Sequence, residues 1–426
     1  MLGSHVASRI SQLAVRCLGL PATPLAPARE VVVINGTSRL RQPSSIRTLP
    51  RQSRGGAGTV RIVNWNLLHA RKDNDRRLEV VARALEAEQP DIVALQEVSQ
   101  SWLLQRPNRA EVLARRLGFA WSFRSTNGAP KLWEEGLAIL ARQSIVRTVR
   151  QRLAGSQPWP LNARQVLIGE TRLNDGTPFA VASVHLSFPT NGEVENLEQA
   201  LDAADFISHE VLARGIPAVL VGDLNAPPGA LAVRALTTGE ILGGDPPFVD
   251  AWAAVGSGPG ITCTPTNPYT DAPADPPQRI DYVLVLQGPF PLARPVGARV
   301  IGNRPAEGGI YGSDHFGLVV DLELDTGRSD KRAATLAAAN LSARIADARW
   351  KIRALRYEAR KEISRARLSL ARDQSGGCLG RNPAQALRDV TLAKVRTAFT
   401  LSARTDNEPL VSAKNLDAAV RTGCGP

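Results

Sequence analysis

Short apolar segments that end beside polar side chains recur through the middle of the chain and constrain its fold more than any other feature. These polar positions are Asn66, Glu97, His185, Asp223, Asn225, Asp281, and the pair Asp314 and His315. Apolar runs of this length are typical of buried strands. Loops at strand ends present side chains while the sheet fixes their positions. The pattern therefore predicts an α/β domain in which these side chains lie at strand ends and converge on one site.

Helical periodicity separates the strands. Residues 75–88 place apolar side chains on one helical face, Asn108 and Glu111 form a capping pair for a helix that ends at Gly118, and 193–213 follows the pattern of a third helix. The intervening segment is rich in predicted strands, at 136–141, 145–152, 166–173 and 179–186. Because strands and helices interleave across two similar halves, residues 60–326 are predicted to form one α/β domain.

Charge is distributed unevenly along the chain. The total of +12 divides into about +7 for residues 1–59, −6 for 60–326 and +11 for 327–426. Residues 1–59 mix Pro, Ser, Arg and Gly without periodicity, which predicts a flexible basic lead. Because the central segment is acidic, the positive net charge of the whole chain is not evidence that the central domain binds nucleic acid. Attraction to polyanions is expected at the two basic ends.

A basic helical extension is predicted in residues 327–426. Its apolar residues recur with an average spacing close to that of an α-helix, at Leu341, Ile345, Ala348, Ile352, Leu355, Ala359, Ile363, Ala366 and Leu370. Arg and Lys occupy much of the remaining surface, and a shorter helix is predicted over 384–402. Packing of the long helix on its own domain or on a partner is favoured over contact with nucleic acid or with an anionic membrane.

The sequence contains few signals for the cellular location of the protein. No apolar run reaches transmembrane length, and Arg16 interrupts the weak apolar stretch near the N-terminus, so a secretory signal is not favoured. Cys378 and Cys424 would pair after export, whereas unpaired thiols are expected in a reducing compartment. The sequence favours a cytoplasmic location, with secretion as the alternative.

The polar strand ends form six motifs that resemble those of the endonuclease/exonuclease/phosphatase superfamily, in order and in approximate spacing. The motifs are Trp65-Asn66, Leu95-Gln96-Glu97, Ser183-Val184-His185, Gly222-Asp223-Leu224-Asn225, Ile280-Asp281-Tyr282 and Ser313-Asp314-His315. This superfamily includes pancreatic deoxyribonuclease, neutral sphingomyelinases and inositol-polyphosphate 5-phosphatases. The resemblance covers 60–326 and implies a four-layer αββα sandwich.

The resemblance also implies a role for each motif residue. His315 is expected to act as general base, with Asp281 holding its imidazole. Asp223 and Asn225 would orient the nucleophile, and His185 would bind a phosphoryl oxygen or protonate the leaving group. A hard divalent cation prefers oxygen ligands, so Mg²⁺ is expected, with Mn²⁺ as an alternative. The expected cation ligands are Asn66, Glu97 and Asp314, and Arg164 is a candidate for holding a phosphate.

The predicted function is metal-dependent phosphodiester cleavage, with nucleic acid favoured as the substrate. Departures from the motifs of abasic-site endonucleases, such as His185 where those enzymes carry Asn, argue against that subfamily. A phospholipid phosphodiesterase of the sphingomyelinase type, or a phosphatase, is the alternative. An inactive scaffold that binds polyanions is the alternative from a different class.

A few polar residues fall outside the motifs and are given no chemical role. Asn64, His69 and His209 are interpreted as ordinary surface or loop residues. Trp133, Glu134 and Glu135 are placed just before the strand at 136–141, where they would line the cleft.

Overall fold

The computed structural model of the chain describes residues 29–30, 58–69, 73–129, 132–155, 163–188, 192–270, 276–289, 293–324, 330–372 and 383–400. The strands are β1 (Arg29–Glu30), β2 (Thr59–Asn66), β3 (Ile92–Ser101), β4 (Ala120–Ala129), β5 (Trp133–Ala141), β6 (Ile145–Arg152), β7 (Gln165–Arg172), β8 (Pro178–His185), β9 (Ala218–Asp223), β10 (Phe248–Asp250), β11 (Asp281–Leu286), β12 (Ala293–Ile301) and β13 (Gly317–Leu324). The helices are α1 (Asn74–Glu88), α2 (Arg109–Leu117), α3 (Glu193–Glu210), α4 (Leu231–Thr237), α5 (Ala251–Val255), α6 (Lys331–Arg372) and α7 (Pro383–Thr400), with 3₁₀ turns at Leu212–Arg214 and Glu307–Gly309.

Two sheets organise the described residues. One has the strand order β1-β6-β7-β8-β9-β11-β10, and the other has the order β12-β13-β2-β3-β5-β4. Most neighbours are antiparallel, but β2 pairs in parallel with β3 and β8 in parallel with β9. Each parallel pair is connected through a helix, α1 or α3, as parallel pairing requires. Within each sheet, the carboxyl ends of the two parallel strands therefore lie side by side.

Three apolar layers give the molecule its architecture. The middle layer packs one sheet on the other, with Ile62 and Leu318 from one and Val181 and Val221 from the other. A second layer fills the space between the six-stranded sheet and helices α1 and α2. The third lies between the seven-stranded sheet and α3, α4 and α6. The predicted four-layer αββα sandwich is confirmed.

Local signals explain where several elements begin and end. The side chain of Asn108 accepts hydrogen bonds from the backbone N–H groups of Ala110 and Glu111, and α2 stops at Gly118, whose φ of 71° is left-handed. The predicted cap at Asn108 and the predicted helix end are confirmed, whereas the side chain of Glu111 pairs with Arg115. At the edge of β9, Gly222 has a φ of 152°, and a Cβ there would lie 1.9 Å from the carbonyl oxygen of Val184. Glycine is therefore required at this position, where a side chain would collide with the backbone of β8.

Three predicted strand boundaries were wrong. Glu97 does not end its strand, because β3 continues to Ser101 by pairing with β5 after a bulge between Leu95 and Val98. Trp133, Glu134 and Glu135 belong to β5 itself, since they pair with the end of β3. Asp281 is the first residue of β11. Pairing between strands set all three boundaries, and the local apolar pattern does not contain that information.

The long helix α6 packs against the outer side of the seven-stranded half. Leu341, Ile345, Ala348 and Ile352 are buried in the same apolar layer as α3. The hydroxyl of Ser208 donates to the carbonyl oxygen of Ala338, and Arg349 pairs with Asp202 and Asp205. These contacts involve the C-terminal half of α3.

Some predictions concern residues that the structure does not describe. The basic lead at 1–59 falls mostly outside the described residues, apart from β1, which pairs with β6, and the residues from 58 onward. The expected pairing of Cys378 with Cys424 lies outside them too. Among the helices that are described, none combines the length and the apolar character needed to cross a membrane.

Candidate active site

Strand register brings three of the predicted residues to one point. His185 and Asp223 are direct partners at the ends of the parallel strands β8 and β9. Asp223 is also the partner of Asp281 in the antiparallel pairing of β9 with β11. Asp281 therefore reaches the site from the beginning of its strand, because an antiparallel neighbour runs in the opposite direction. Nε2 of His185 lies 3.5 Å from Oδ2 of Asp223.

Asn66 links the two sheets at this edge. Its amide nitrogen donates to Oε1 of Glu97 and to Oδ2 of Asp223, at 3.1 Å in each case. Its side-chain oxygen accepts the backbone N–H of Leu68 at 2.9 Å. The structure thus presents the nitrogen of Asn66 to the acidic cluster, and only the second lone pair of its oxygen remains for a cation.

Hydrogen bonds fix both the ring and the backbone of His315. Nδ1 lies 2.8 Å from Oδ2 of Asp281, and both side chains are buried. Because a carboxylate can only accept, Nδ1 carries the proton and Nε2 faces the cleft, 3.8 Å from Oδ2 of Asp223. The indole N–H of Trp65 donates to the carbonyl oxygen of His315 at 3.0 Å.

The loop that precedes β11 fixes the acid partner of His315. The hydroxyl oxygen of Thr262 accepts from the backbone N–H groups of Ile280 and Asp281, at 3.2 and 3.3 Å. The carbonyl oxygen of Thr262 accepts from the backbone N–H of Phe316 at 2.7 Å. One loop residue therefore ties the start of β11 to the segment that carries His315.

Asp223 and Asn225 form a tight turn after β9. The backbone N–H of Asn225 donates to Oδ1 of Asp223 at 2.8 Å, and its side-chain amide donates to the carbonyl oxygen of Leu186 at 3.0 Å. Asn225 has a left-handed φ of 48°, a conformation that asparagine tolerates well. The turn directs one oxygen of Asp223 to the backbone and the other toward Asn66, His185 and His315.

Two residues that were given no chemical role from the sequence are not ordinary surface residues. His69 places Nδ1 at 2.9 Å from Oε2 of Glu97 and at 3.6 Å from Oε2 of Glu135. Interpreting His69 as an ordinary loop residue was therefore wrong. Asn64 is also not a surface residue, because it is buried on β2 and accepts from the side chain of Gln96. His209, in contrast, is half-exposed on α3.

The bulge in β3 explains how Glu97 meets His69. Glu97 has a left-handed φ of 51°, which is uncommon for a residue with a side chain. The sequence signal for His69 is its position, three residues after Asn66. Glu135 could have been found from alternation, since it shares a face of β5 with the buried Leu137 and Ile139.

Asp314 and Arg164 complete the set of predicted residues. The hydroxyl of Ser313 donates to Oδ1 of Asp314 at 3.0 Å, and the charge of Glu97 acts on the Asp314 carboxyl. The Arg164 guanidinium is buried close enough to Asp223, Glu135 and Glu97 for their charges to act on it. Its Nε is buried without a hydrogen-bond partner among the described residues. Contacts and charge interactions thus connect all nine predicted side chains into one cluster.

Burial and mutual charge shift the pKa values of the acidic groups. Burial, reinforced by Asp281, raises the pKa of Asp223 to about 7, although His315 acts in the opposite direction. Burial, reinforced by Glu97, also raises the pKa of Asp314. Burial would raise the pKa of Glu97 as well, but the hydrogen bonds and charge of His69 hold it well below its usual value.

The two central histidines differ in protonation. Burial, together with the positive charge of Arg164, lowers the pKa of His185 well below its ordinary value, so His185 is neutral. Burial acts in the same direction on His315, but the charges of Asp281, Asp223 and Asp314 outweigh it and raise the pKa of His315 well above the ordinary value. Groups whose pKa values are pushed apart in this way are typical of acid–base sites.

The donor set fits a divalent cation. Ligand atoms of Asp223, Asp281 and His315 lie within 4.8 Å of one another, as do those of His69, Glu97 and Glu135. Oδ1 of Asp281 is buried with no hydrogen-bond partner in the described part of the chain. Buried carboxylates with raised pKa values gain stability when a cation offsets their repulsion. Oxygen-rich clusters of this kind suit Mg²⁺ or Mn²⁺.

Together the fold and the site define a class: an αββα sandwich whose strand ends carry a buried histidine–carboxylate centre. The sequence model of the Endonuclease/Exonuclease/phosphatase family matches residues 63–315, more than half of the chain. The chain belongs to this family, so the resemblance noted from the six motifs is confirmed.

Solved structures show the same fold. A family protein from Bacteroides thetaiotaomicron is 18% identical, with a TM-score of 0.50, and the match covers 64% of this chain and 97% of that one. D. rerio TDP2, solved in complex with a single-strand DNA product, is 20% identical with a TM-score of 0.50, covering 62% of this chain and 99% of that one. A comparison with curated proteins found no match.

Proposed function

We propose that this chain is a divalent-cation-dependent phosphoester hydrolase that cleaves phosphodiesters, with nucleic acid as the favoured substrate. Family membership supports the phosphoester-hydrolase class. The observation that carries the mechanism is the 2.8 Å contact between Nδ1 of His315 and Oδ2 of Asp281, because it fixes which ring nitrogen faces the cleft.

His315 is the general base in this proposal. With Nδ1 bound to Asp281, Nε2 is the nitrogen that accepts a proton from water, and the Asp281 carboxylate stabilises the imidazolium that forms. A water in contact with Nε2 would also lie close to Oδ2 of Asp223, which is 3.8 Å from that nitrogen. Asn225 keeps Asp223 in place through the 2.8 Å hydrogen bond from its backbone.

Glu97 and Asp314 would hold the cation, and Asn66 orients Glu97 by donating to its Oε1. A divalent cation, when bound, polarises a phosphoryl oxygen and offsets the charge of the carboxylate cluster. Asn66 therefore has two proposed roles. Its amide nitrogen positions the carboxylates of Glu97 and Asp223, and its oxygen would contribute to the ligand set.

His185 and Arg164 bind the phosphoryl group. The lowered pKa of His185, caused by burial and by Arg164, leaves its ring neutral, so it donates a hydrogen bond to a phosphoryl oxygen. This favours oxygen binding over protonation of the leaving group. The unpartnered Nε of Arg164 is a donor available to the same phosphate.

A lipid phosphodiester is the second candidate substrate, because two adjoining loops expose large apolar side chains beside the cleft. Trp102, Leu103 and Leu104 are 50%, 70% and 61% exposed, and Leu132 and Trp133 are 46% and 37% exposed. The backbone N–H groups of Trp102 and Leu103 both donate to the carbonyl oxygen of Leu132, which joins the two loops. Clustered exposed apolar side chains are typical of interaction surfaces.

Hydrolysis assays test the proposal. The purified chain is incubated with plasmid DNA, RNA, a bis-aryl phosphodiester, an aryl phosphomonoester and sphingomyelin vesicles, with Mg²⁺, with Mn²⁺ and with a chelator. We expect diester cleavage that the chelator abolishes and Mg²⁺ restores. Glu97→Gln should lose most of this activity, whereas Glu323→Gln, which changes an exposed acid outside the site, should retain it.

The other outcomes are equally informative. Activity on the monoester alone would replace the phosphodiesterase assignment with a phosphatase. Cleavage of sphingomyelin but not of DNA or RNA would assign a lipid substrate. If no substrate is turned over with either cation, the inactive polyanion-binding scaffold replaces the enzyme.

A further inference from the structure

Helix α6 has two chemically different faces. Its apolar side, with Leu341, Ile345, Ala348 and Ile352, is buried against the seven-stranded half. The opposite side carries Trp350, Arg353, Tyr357, Arg360 and Lys361, which we name the outer stripe. These residues are spaced three, seven, ten and eleven positions after Trp350, so they share one helical face.

The outer stripe exposes aromatic rings and free cations side by side. Trp350 and Tyr357 are 65% and 59% exposed, and Nζ of Lys361 lies 4.6 Å from the centre of the Tyr357 ring. Among the residues that the structure describes, neither Arg353, Arg360 nor Lys361 forms an ion pair with a carboxylate. The cations that face α3, such as Arg349 and Arg356, are in contrast paired with acids on that helix.

The stripe leads toward the candidate active site. Helix α6 runs antiparallel to α3: Thr335 contacts the carbonyl oxygen of Ala213 near one end, and Arg356 pairs with Glu198 near the other. The first turns of α3 in turn contact the active-site edge, since the amide of Asn196 donates to the carbonyl oxygen of Leu224, next to Asp223. Advancing along the stripe from Trp350 to Lys361 therefore approaches the end of β9.

We propose that the outer stripe binds single-stranded nucleic acid. Unpaired bases stack on exposed aromatic rings, and guanidinium and ammonium groups contact the phosphates between them. Binding itself requires no catalysis, whereas the role of the stripe in delivering substrate to the cleft rests on the proposed function.

The arrangement of α6 argues against a lipid surface as the partner of the stripe. An amphipathic helix binds a membrane through a continuous apolar face. In α6 that face is already buried against α3, and the stripe between Trp350 and Lys361 has no exposed aliphatic side chain of its own. The exposed side chains of residues 350–361 are two aromatic rings, four cations and the single acid Glu358, a set that matches bases and phosphates.

Binding to a labelled oligonucleotide tests the proposal. Fluorescence anisotropy with the full chain measures the Kd for single-stranded oligo-dT and for an RNA of equal length, in the presence of a chelator so that no cleavage occurs. Trp350→Ala combined with Tyr357→Ala should weaken binding by about tenfold or more. Arg353→Gln combined with Lys361→Gln should weaken binding and reduce its dependence on salt.

Matched controls separate the stripe from other surfaces. Val146→Ala removes an exposed apolar side chain of β6, and Arg83→Gln removes an exposed cation of α1; both should bind like wild type. All of these variants should hydrolyse the small bis-aryl phosphodiester at the wild-type rate, which verifies that the fold and the site are intact.

The outcomes distinguish this proposal from the proposed function. If the stripe variants bind oligonucleotides as wild type does, or if they lose binding to anionic vesicles instead, the stripe proposal is wrong whatever the enzyme cleaves. If wild type binds oligonucleotides through the stripe but hydrolyses no phosphoester, the stripe assignment stands and the hydrolase assignment fails.

Discussion

Both N–H groups of His69 point at the same oxygen of Glu97. The backbone nitrogen lies 3.1 Å and Nδ1 lies 2.9 Å from Oε2, while Oε1 of Glu97 accepts from Asn66. The carboxylate is thus held at both ends, and the left-handed backbone of Glu97 at the bulge in β3 makes this position accessible. His69 is a positioning residue for the proposed cation ligand.

Replacing His69 should weaken cation binding. In His69→Ala, Glu97 keeps the backbone hydrogen bond but loses the ring, so we expect the affinity for Mn²⁺ to fall by about ten- to a hundredfold. Isothermal titration calorimetry of the full chain measures this directly. His209→Ala, which changes a histidine on the exposed side of α3, serves as the control. Equal Mn²⁺ affinity in His69→Ala and wild type would remove His69 from the site.

Asp281→Asn should alter the pH dependence of hydrolysis as well as its rate. A general base acts only when deprotonated, so activity rises with pH through the pKa of His315, which Asp281, Asp223 and Asp314 raise against the effect of burial. Removing the Asp281 charge lowers that pKa, and the acidic limb of the profile moves to lower pH. The plateau falls by roughly 10²- to 10⁴-fold, because the ring loses its orienting partner.

The pH profile of kcat for the bis-aryl phosphodiester tests this prediction. Asp175→Asn, at an exposed hairpin turn, should leave the profile unchanged. An acidic limb that stays in place or moves to higher pH in Asp281→Asn would contradict the assignment of His315 as the base.

Gly222→Ala should destabilise the fold next to the site. The φ of 152° is unfavourable for alanine, and the new Cβ would lie 1.9 Å from the carbonyl oxygen of Val184, so β8 and β9 would have to separate. The expected loss is at least about 1 kcal/mol in the free energy of unfolding. Activity should also fall, because the contact between His185 and Asp223 depends on this strand pair.

Urea unfolding compares this variant with Gly229→Ala. An added Cβ at Gly229 has no heavy atom within 4 Å, so that control should unfold at nearly the wild-type midpoint. A Gly222→Ala protein that matches wild type in stability would show that the approach of β8 to β9 is less tight than the geometry indicates.

The layers of the fold and the members of the site were largely predictable from sequence. Apolar strands that end beside Asn66, His185 and Asp223 follow a local pattern. The parallel pairing of β8 with β9 places His185 beside Asp223, and Asn66 reaches Asp223 from the other sheet. Helix α2 was predictable from the capping residue Asn108, because its signal is contained within a few neighbouring residues.

What the sequence concealed depends on contacts between distant segments. The bulge that turns Glu97 toward His69 exists only because β3 pairs with β5 on both sides of it. The orientation of the Asn66 amide is set by the backbone N–H of Leu68, which donates a hydrogen bond to the side-chain oxygen of Asn66. The packing of α6 on α3 likewise depends on pairs such as Arg349 with Asp202, which are far apart in the chain.

In the proposed mechanism, His315 activates water for attack on a phosphodiester. The rate at which His315→Ala hydrolyses the bis-aryl phosphodiester at saturating Mg²⁺ tests this role. Circular dichroism first verifies that the variant is folded. We predict that kcat falls by at least about a hundredfold relative to wild type. A folded His315→Ala protein that hydrolyses the diester at the wild-type rate would contradict the mechanism.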